Sequence, residues 1–266
     1  MALLMALVVA VITIVSVILF ASRIWWFPPN ISTHGGAIDQ QIILTMVVTG
    51  IIFVLAQLAL AYLVFRHRDR GDGSRAKFFH GHNKLEALWT TAAAIMFIGL
   101  NLMGYRIWAG IHFVGAEPGA MQVEVWGQQF AWYFRYPGPD GKFGPTHVEK
   151  ISDSTANYLG LDRDKDEDAK DDIVTSTLAI PVNRPVQLTL RSKDVTHSFW
   201  VRELRLKQDL VPGMIIPVHF TATETGRYEI ACVELCGLGH YRMRAFLQVQ
   251  TEEDFQKWLQ SMAEAQ

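Results

Sequence analysis

The chain is expected to fold as a helical membrane part followed by an all-β domain outside the bilayer, on three observations. Half of its 266 residues are hydrophobic and only 19% are charged, a balance that points to membrane segments rather than one soluble domain. Three long apolar stretches occur before Gly115, and none follows it. Beyond that point apolar and polar residues alternate in short runs separated by Pro/Gly turns, the pattern of half-buried strands.

The first stretch, Ala2–Ala21, carries no charge and as a helix reaches roughly 30 Å, the thickness of a hydrocarbon core. It is expected to stay on the chain as an extra transmembrane helix (residues 1–22) that packs against another subunit or complex. A cleaved signal peptide is the alternative, but no basic residue precedes it and Ala21-Ser22-Arg23 is a poor cleavage signal. Ile42–Phe65 and Leu88–Ile111 then form a transmembrane hairpin within residues 23–114. Gln57 and Tyr62 are the polar interruptions of its first arm, and Arg106 lies close enough to the end of the second to snorkel. Arg66, Arg68, Arg70, Arg75 and Lys77 crowd the loop between the arms, with Lys84 beyond. Short basic loops stay in the cytoplasm. The N-terminus is therefore expected inside, and residues 115–266 on the outer, periplasmic face of the inner membrane.

Those last residues number about 150, enough for one independent core. Strands are expected at Gln122–Trp126, Val186–Leu190, Pro217–Thr221, Arg227–Ala231 and Ala245–Gln250, with turns at 137–141 and Pro212-Gly213. Several short strands so spaced predict a Greek-key sandwich or barrel. The aromatic stretch Gly127–Tyr136 reads for the most part as a further strand whose rings fill the core. Thr251–Met262 reads as a closing amphipathic helix that packs on Phe255, Trp258, Leu259 and Met262.

The chemistry concentrates in twelve residues. Cys232 and Cys236, the only cysteines, are followed by His240 and Met243, with Gly237 and Gly239 loosening the backbone between them. Thiolates and imidazole select copper or zinc over hard cations, and a weak thioether points to an electron-transfer copper site. A second imidazole, His197, stands upstream in Asp194-x-x-His197. A disulfide is one competing reading outside the cytoplasm. A structural zinc site is another, but it takes four Cys/His ligands and has no use for Met.

Cys-x-Glu-x-Cys-x-x-x-His-x-x-Met preceded by Asp-x-x-His resembles subunit II of the haem–copper cytochrome c oxidases, from about Ile42 to the end. The resemblance implies a cupredoxin-like fold for residues 115–266. It further implies a two-copper, mixed-valence CuA centre. Cys232 and Cys236 would bridge both coppers, His197 and His240 would bind one each, and Met243 with the Glu234 carbonyl would complete the pair. The Glu234 side chain would hold Mg²⁺ at the interface with subunit I, where hard oxygen donors suit that ion.

Two further segments carry the likeness. Glu86, in Lys84-Leu85-Glu86-Ala87-Leu88-Trp89-Thr90, corresponds to a glutamate at the cytoplasmic mouth of a proton channel. The family's proline after Trp-Thr is replaced here by Thr91-Ala92-Ala93-Ala94. The plainer reading of Glu86 and Trp89 is an interfacial helix start. Gly127–Tyr136 resembles a Gly-x-Gln-Trp-x-Trp segment, with Phe130 at the first Trp and Trp132 at the second. These rings are expected on the path of electrons from cytochrome c.

The implied activity is that of an oxidase subunit that takes electrons from cytochrome c and passes them to haem in subunit I. Oxygen reduction and proton transport would occur in that partner, with subunit III also in the complex. No Cys-x-x-Cys-His is present, so the donor is a separate cytochrome c or cytochrome c domain. No nucleic-acid partner is expected. The alternatives are the CuA subunit of a nitric oxide reductase and a membrane-tethered copper carrier. The acidic run Asp162–Asp172 is expected to be a solvated loop, ahead of a docking patch for a basic cytochrome c. A calcium loop ranks last, because the EF-hand glycine and closing glutamate are missing. Asp194, Glu203, Asp209 and Glu234 are acidic docking candidates nearer the copper loop.

Overall fold

The computed structural model describes residues 1–69, 71–73, 75, 78 and 80–265, so Arg70, Ser74, Ala76 and Lys77 of the basic loop lie outside the described residues. The chain falls into two compact units, residues 1–27 with 37–108, and residues 28–36 with 109–266.

The helical unit is built on α1 (Ala2–Ser22), α2 (Gly35–Arg66) and α3 (Asn83–His112), each long and apolar enough to cross a membrane. Large apolar side chains are exposed along all three, as expected of helices solvated by lipid rather than by water. α1 ends where Arg23 turns left-handed (φ 55°) and its N–H returns to the Phe20 carbonyl. Gln41 Nε2 donates across to the Leu100 carbonyl of α3 at 3.0 Å, so one polar group of the hairpin is satisfied within it. α2 starts at Gly35 and α3 at Asn83, earlier than their apolar runs. Their first turns are polar, and hydropathy does not register a polar first turn.

In the second unit ten strands form a two-sheet sandwich. They are β1 (Met121–Gln128), β2 (Ala131–Tyr136), β3 (Ile173–Thr175), β4 (Thr177–Pro181), β5 (Pro185–Ser192), β6 (His197–Val201), β7 (Leu206–Leu210), β8 (Ile216–Thr221), β9 (Gly226–Cys232) and β10 (Arg244–Gln250). The sheet orders are β3-β2-β1-β5-β8 and β4-β10-β9-β6-β7. β1 runs parallel to β5 and β4 parallel to β10, so the chain crosses between sheets rather than adding hairpins in order. Inward residues recur at every second position: Val123 and Val125, Val186, Leu188 and Leu190, Leu247 and Val249 are all buried. β2 sends Trp132, Phe134 and Tyr136 into the same core. The Tyr136 hydroxyl donates to the Ala179 carbonyl (2.9 Å) and accepts its N–H (2.7 Å), so the polar tip is satisfied where it is buried.

A closing helix, α5 (Glu252–Glu264), is capped by Thr251, whose hydroxyl accepts the Asp254 N–H. It lays Phe255 and Trp258 against the sandwich, with Trp258 5.3 Å from the Tyr136 ring. The segment before α2 also belongs to this unit. Ile31 is fully buried in the core, its N–H bonded to Glu203 and its carbonyl to Thr223.

The acidic run departs in part from the solvated loop expected of it, for Asp164, Lys165, Glu167 and Lys170 are exposed while Asp162, Ala169 and Asp172 are buried. Residues 137–172 fold back over the outer face of β1 and β2, where Leu159, Leu161 and Ala169 pack with Trp126, Tyr133 and Val174. Ala169 sits in a single helical turn, α4 (Glu167–Lys170). Both ends of the run are anchored rather than wet. Asp162 pairs with Lys150. Asp172 is 1% exposed and takes the Arg135 guanidinium of β2, with Arg135 Nε at 3.0 Å. Arg135 Nη1 lies 3.1 Å from Glu124, whose other oxygen is 3.0 Å from Arg191. Buried charges persist only when paired in this way.

Candidate metal centre

Five donor side chains converge at one end of the sandwich. His197 is the first residue of β6 and fully buried, and Cys232 is the last of β9. Phe199 of β6 pairs with Cys232 across the strands, which brings the two donors side by side. After Cys232 the chain loops out to Cys236, then enters a one-turn helix at His240 that delivers Met243 back into the core at 2% exposure.

The two thiols are free, and their sulfurs stand 3.9 Å apart. That is far beyond a disulfide bond of about 2.05 Å. It suits two thiolates that each lie about 2.3 Å from a shared metal. Cys232 Sγ is 3.9 Å from His197 Nδ1, and Cys236 Sγ is 3.6 Å from His240 Nδ1 and 3.7 Å from Met243 Sδ. The Glu234 carbonyl lies 3.3 Å from Cys232 Sγ. The donor atoms of His197, Cys232 and Cys236 all fall within 4.8 Å of one another. This is soft sulfur with imidazole, a set that fits copper.

The electrostatics favour holding a cation. Burial opposes the Cys232 thiolate, but hydrogen bonds from His197 and from the backbone at Ser198 and Glu234 together outweigh it and bring its pKa to about 6. Burial, followed by the neighbouring Cys232 charge, pushes Cys236 up to about 11. At neutral pH the pair therefore keeps one proton that a bound metal would displace.

Around the donors the chain builds a rigid frame. His197 Nε2 lies 2.8 Å from Asp194 Oδ1, which also accepts the Val195 N–H, and Asp194 Oδ2 accepts the Gln129 N–H at 2.8 Å. The Asp194 carboxylate thereby fixes the ring that presents Nδ1 to the cluster. Burial works against its charge, but the donors from Gln129, His197 and Val195 hold the carboxyl below its ordinary range. Gln129 also donates from Nε2 to the Cys236 carbonyl at 2.6 Å, tying the β1–β2 turn to the copper loop. A Cβ at Gly127 would lie 2.9 Å from His197 Cδ2, and one at Gly239 2.4 Å from the Phe130 ring, so both close approaches need glycine. Replacing Asp194 with Asn leaves the fold intact and lowers copper affinity about 10–100-fold, because the ring loses its charged partner. Competition against a copper chelator measures it.

The other expected residues take separate places. Glu234 presents its carbonyl to Cys232 while its side chain is exposed. The Phe130 ring covers the loop glycines and is 39% exposed, whereas Trp132 is 2% exposed, with its ring 6.1 Å from that of His197. Glu86 stands in the other unit, in the first turn of α3, where its carboxylate accepts the His82 N–H at 3.2 Å. One of the acidic docking candidates is corrected by the structure, for Glu203 is buried against Arg202, whereas Asp194 stays exposed while it bonds His197. Sequence reasoning assigned Gln129 no role, although it fills the Gln position of the Gly-x-Gln-Trp-x-Trp pattern, because its partner Cys236 lies 107 residues away.

Comparison with known proteins decides the family. The family described as "Cytochrome C oxidase subunit II, periplasmic domain" matches residues 121–250, and its "transmembrane domain" matches residues 35–107. The "Alternative cytochrome c oxidase subunit 2" of Bradyrhizobium diazoefficiens is 38% identical over 96% of this chain and 90% of its own length. The chain belongs to the cytochrome c oxidase subunit II family. A subunit 2 from Thermostichus vulcanus is 31% identical over 87% of this chain and 76% of its own. The solved periplasmic domain of subunit II of cytochrome oxidase from Bradyrhizobium japonicum is 25% identical, covering 56% of this chain and 97% of that one, at a TM-score of 0.41. In a subunit II chain the sandwich is the cupredoxin-like periplasmic domain, and the His197–Cys232–Cys236 cluster has the donor set of a copper site. α1 lies outside both matched regions.

Proposed function

We propose that this chain is the electron-accepting subunit of a cytochrome c oxidase, taking electrons from cytochrome c and passing them towards haem in subunit I. One observation carries the reading: Cys232, Cys236, His197, His240, Met243 and the Glu234 carbonyl meet at one end of the sandwich. These residues would hold the copper, which would supply one-electron redox chemistry when bound. The chain's own part is to keep the donors still and dry. Asp194 orients His197, Gln129 braces the loop at Cys236, and Phe130 roofs the two glycines.

Outside the donors the loop exposes large apolar side chains beside Glu234 and Arg242. Leu235, Leu238 and Tyr241 are 79%, 98% and 78% exposed, a surface suited to being covered by subunit I and by an incoming cytochrome c. Oxygen reduction and proton translocation belong to the partner, with subunit III completing the complex. The three apolar helices span the inner membrane, and the sandwich stands on the periplasmic side. Electron paramagnetic resonance of the purified protein tests the reading. A multi-line mixed-valence copper signal supports it. A single-copper signal gives it up in favour of copper carriage.

Two finer assignments rest on the same reading. The exposed Glu234 carboxylate binds Mg²⁺ against subunit I, so Glu234→Gln loses the bound Mg or Mn from the purified complex; unchanged metal content refutes it. Glu86 serves at the mouth of a proton channel, and Phe130, backed by Trp132, lies on the electron's way in. Glu86→Ala and Phe130→Ala then each lower cytochrome c oxidation several-fold, and full turnover in either variant removes that residue.

A further inference from the structure

The sandwich unit gathers imidazoles in a second place. A cavity of about 200 Å³ is lined by His34, just before α2, by His219 on β8, and by Glu117 in the turn that leads into β1. Both rings have one nitrogen engaged by a backbone carbonyl. His219 Nε2 lies 2.7 Å from the Val114 carbonyl, so it carries the proton and leaves the Nδ1 lone pair free. His34 bonds the Leu204 carbonyl, while its Nε2 is buried without a hydrogen-bond partner. The proton therefore sits on Nδ1 of His34, and the lone pair on Nε2.

A backbone carbonyl that takes one ring N–H, with the opposite nitrogen left bare, is how proteins prepare a histidine to ligate metal. A buried bare nitrogen otherwise goes without the partner that buried polar atoms almost always have. We propose that His34 and His219, with Glu117 as third donor, form a second metal site for a divalent ion of the zinc class. Two imidazoles and one carboxylate make a recognised open zinc set, with water in the fourth position. With no sulfur in it, the set disfavours Cu(I).

Burial, reinforced by the neighbouring imidazoles His219 and His112, lowers the proton affinity of His34 and keeps it in the form that binds metal. Glu117 is exposed beside Pro118 and Gly119, the glycine at φ 81°. Among the described residues the donors that lie within 4.8 Å of one another are those of the His197–Cys232–Cys236 cluster, so an ion here would have to draw Glu117 and the two imidazoles closer. The ion would clip together the 28–36 segment, the stretch before β1, and β8. That is a structural role, separate from electron transfer.

The test titrates Zn²⁺ alone into the intact, copper-loaded oxidase and follows binding by calorimetry, melting temperature and the copper resonance signal. The expected result is one equivalent per chain that raises the melting temperature and leaves the copper signal unchanged. Affinity falls at least tenfold in His34→Gln and His219→Gln, and less in Glu117→Gln. Wild-type affinity and stoichiometry in both histidine variants would overturn the site, as would Zn²⁺ that binds only by extinguishing the copper signal. A readout that needs no variant is the absorption of Co²⁺ added to the same preparation. Ligand-field bands without a thiolate charge-transfer band support the site, and a thiolate band overturns it.

Discussion

Replacing Cys232 or Cys236 with serine removes the mixed-valence copper signal and leaves the chain with at most one firmly held copper. In the proposed centre each sulfur would serve both halves of the cluster. Cys232 lies against His197, Cys236 lies against His240 and Met243, and the two sulfurs face each other at 3.9 Å. A serine hydroxyl in either place is a harder, far less acidic donor that does not bridge soft metal. The loss in copper affinity exceeds the roughly 10–100-fold that follows from removing a supporting hydrogen bond such as that of Asp194. Copper content, the resonance spectrum and the rate of cytochrome c oxidation fall together. A serine variant with two coppers and an unaltered spectrum would contradict the bridging geometry.

Truncating Asp172 to alanine destabilises the sandwich by about 3–5 kcal/mol, because the Arg135 guanidinium then stays buried without its carboxylate. For a domain of this size that is a drop in melting temperature on the order of 10 °C. The geometry leaves Arg135 little relief. It is 1% exposed, its Nη2 already donates to the Gly144 carbonyl at 2.5 Å, and Glu124 is shared with Arg191. A double change, Arg135→Met with Asp172→Leu, recovers most of the loss, since apolar side chains of similar volume replace a buried ion pair at little cost. Scanning calorimetry separates the two outcomes. Equal melting temperatures for the wild type and Asp172→Ala would show that the acidic run is ornamental to the fold.

The sequence patterns that proved readable are local. All five strands expected from alternation are present within a residue or two, as is the aromatic strand at Ala131–Tyr136. β3, β4, β6 and β7 went unmarked. They are short or buried on both faces, so alternation fades, as in His197–Val201, where four of five residues are buried. The acidic run misled for a related reason. Charge density describes what a segment prefers when alone, and Asp172 meets Arg135 across 37 residues.

The copper loop was legible because four of its donors sit within twelve consecutive residues, where spacing alone confines them to one neighbourhood. The apolar helices were legible because a bilayer demands unbroken length, which a linear string displays directly. What the string does not contain is the company each group keeps. That Asp194 steadies His197, that Gln129 reaches the Cys236 carbonyl, and that His34 and His219 line one cavity were decided only in three dimensions. These pairings arise when strands from opposite ends of the domain are stacked. Their energies come from burial and hydrogen-bond geometry, which exist only after the chain has folded.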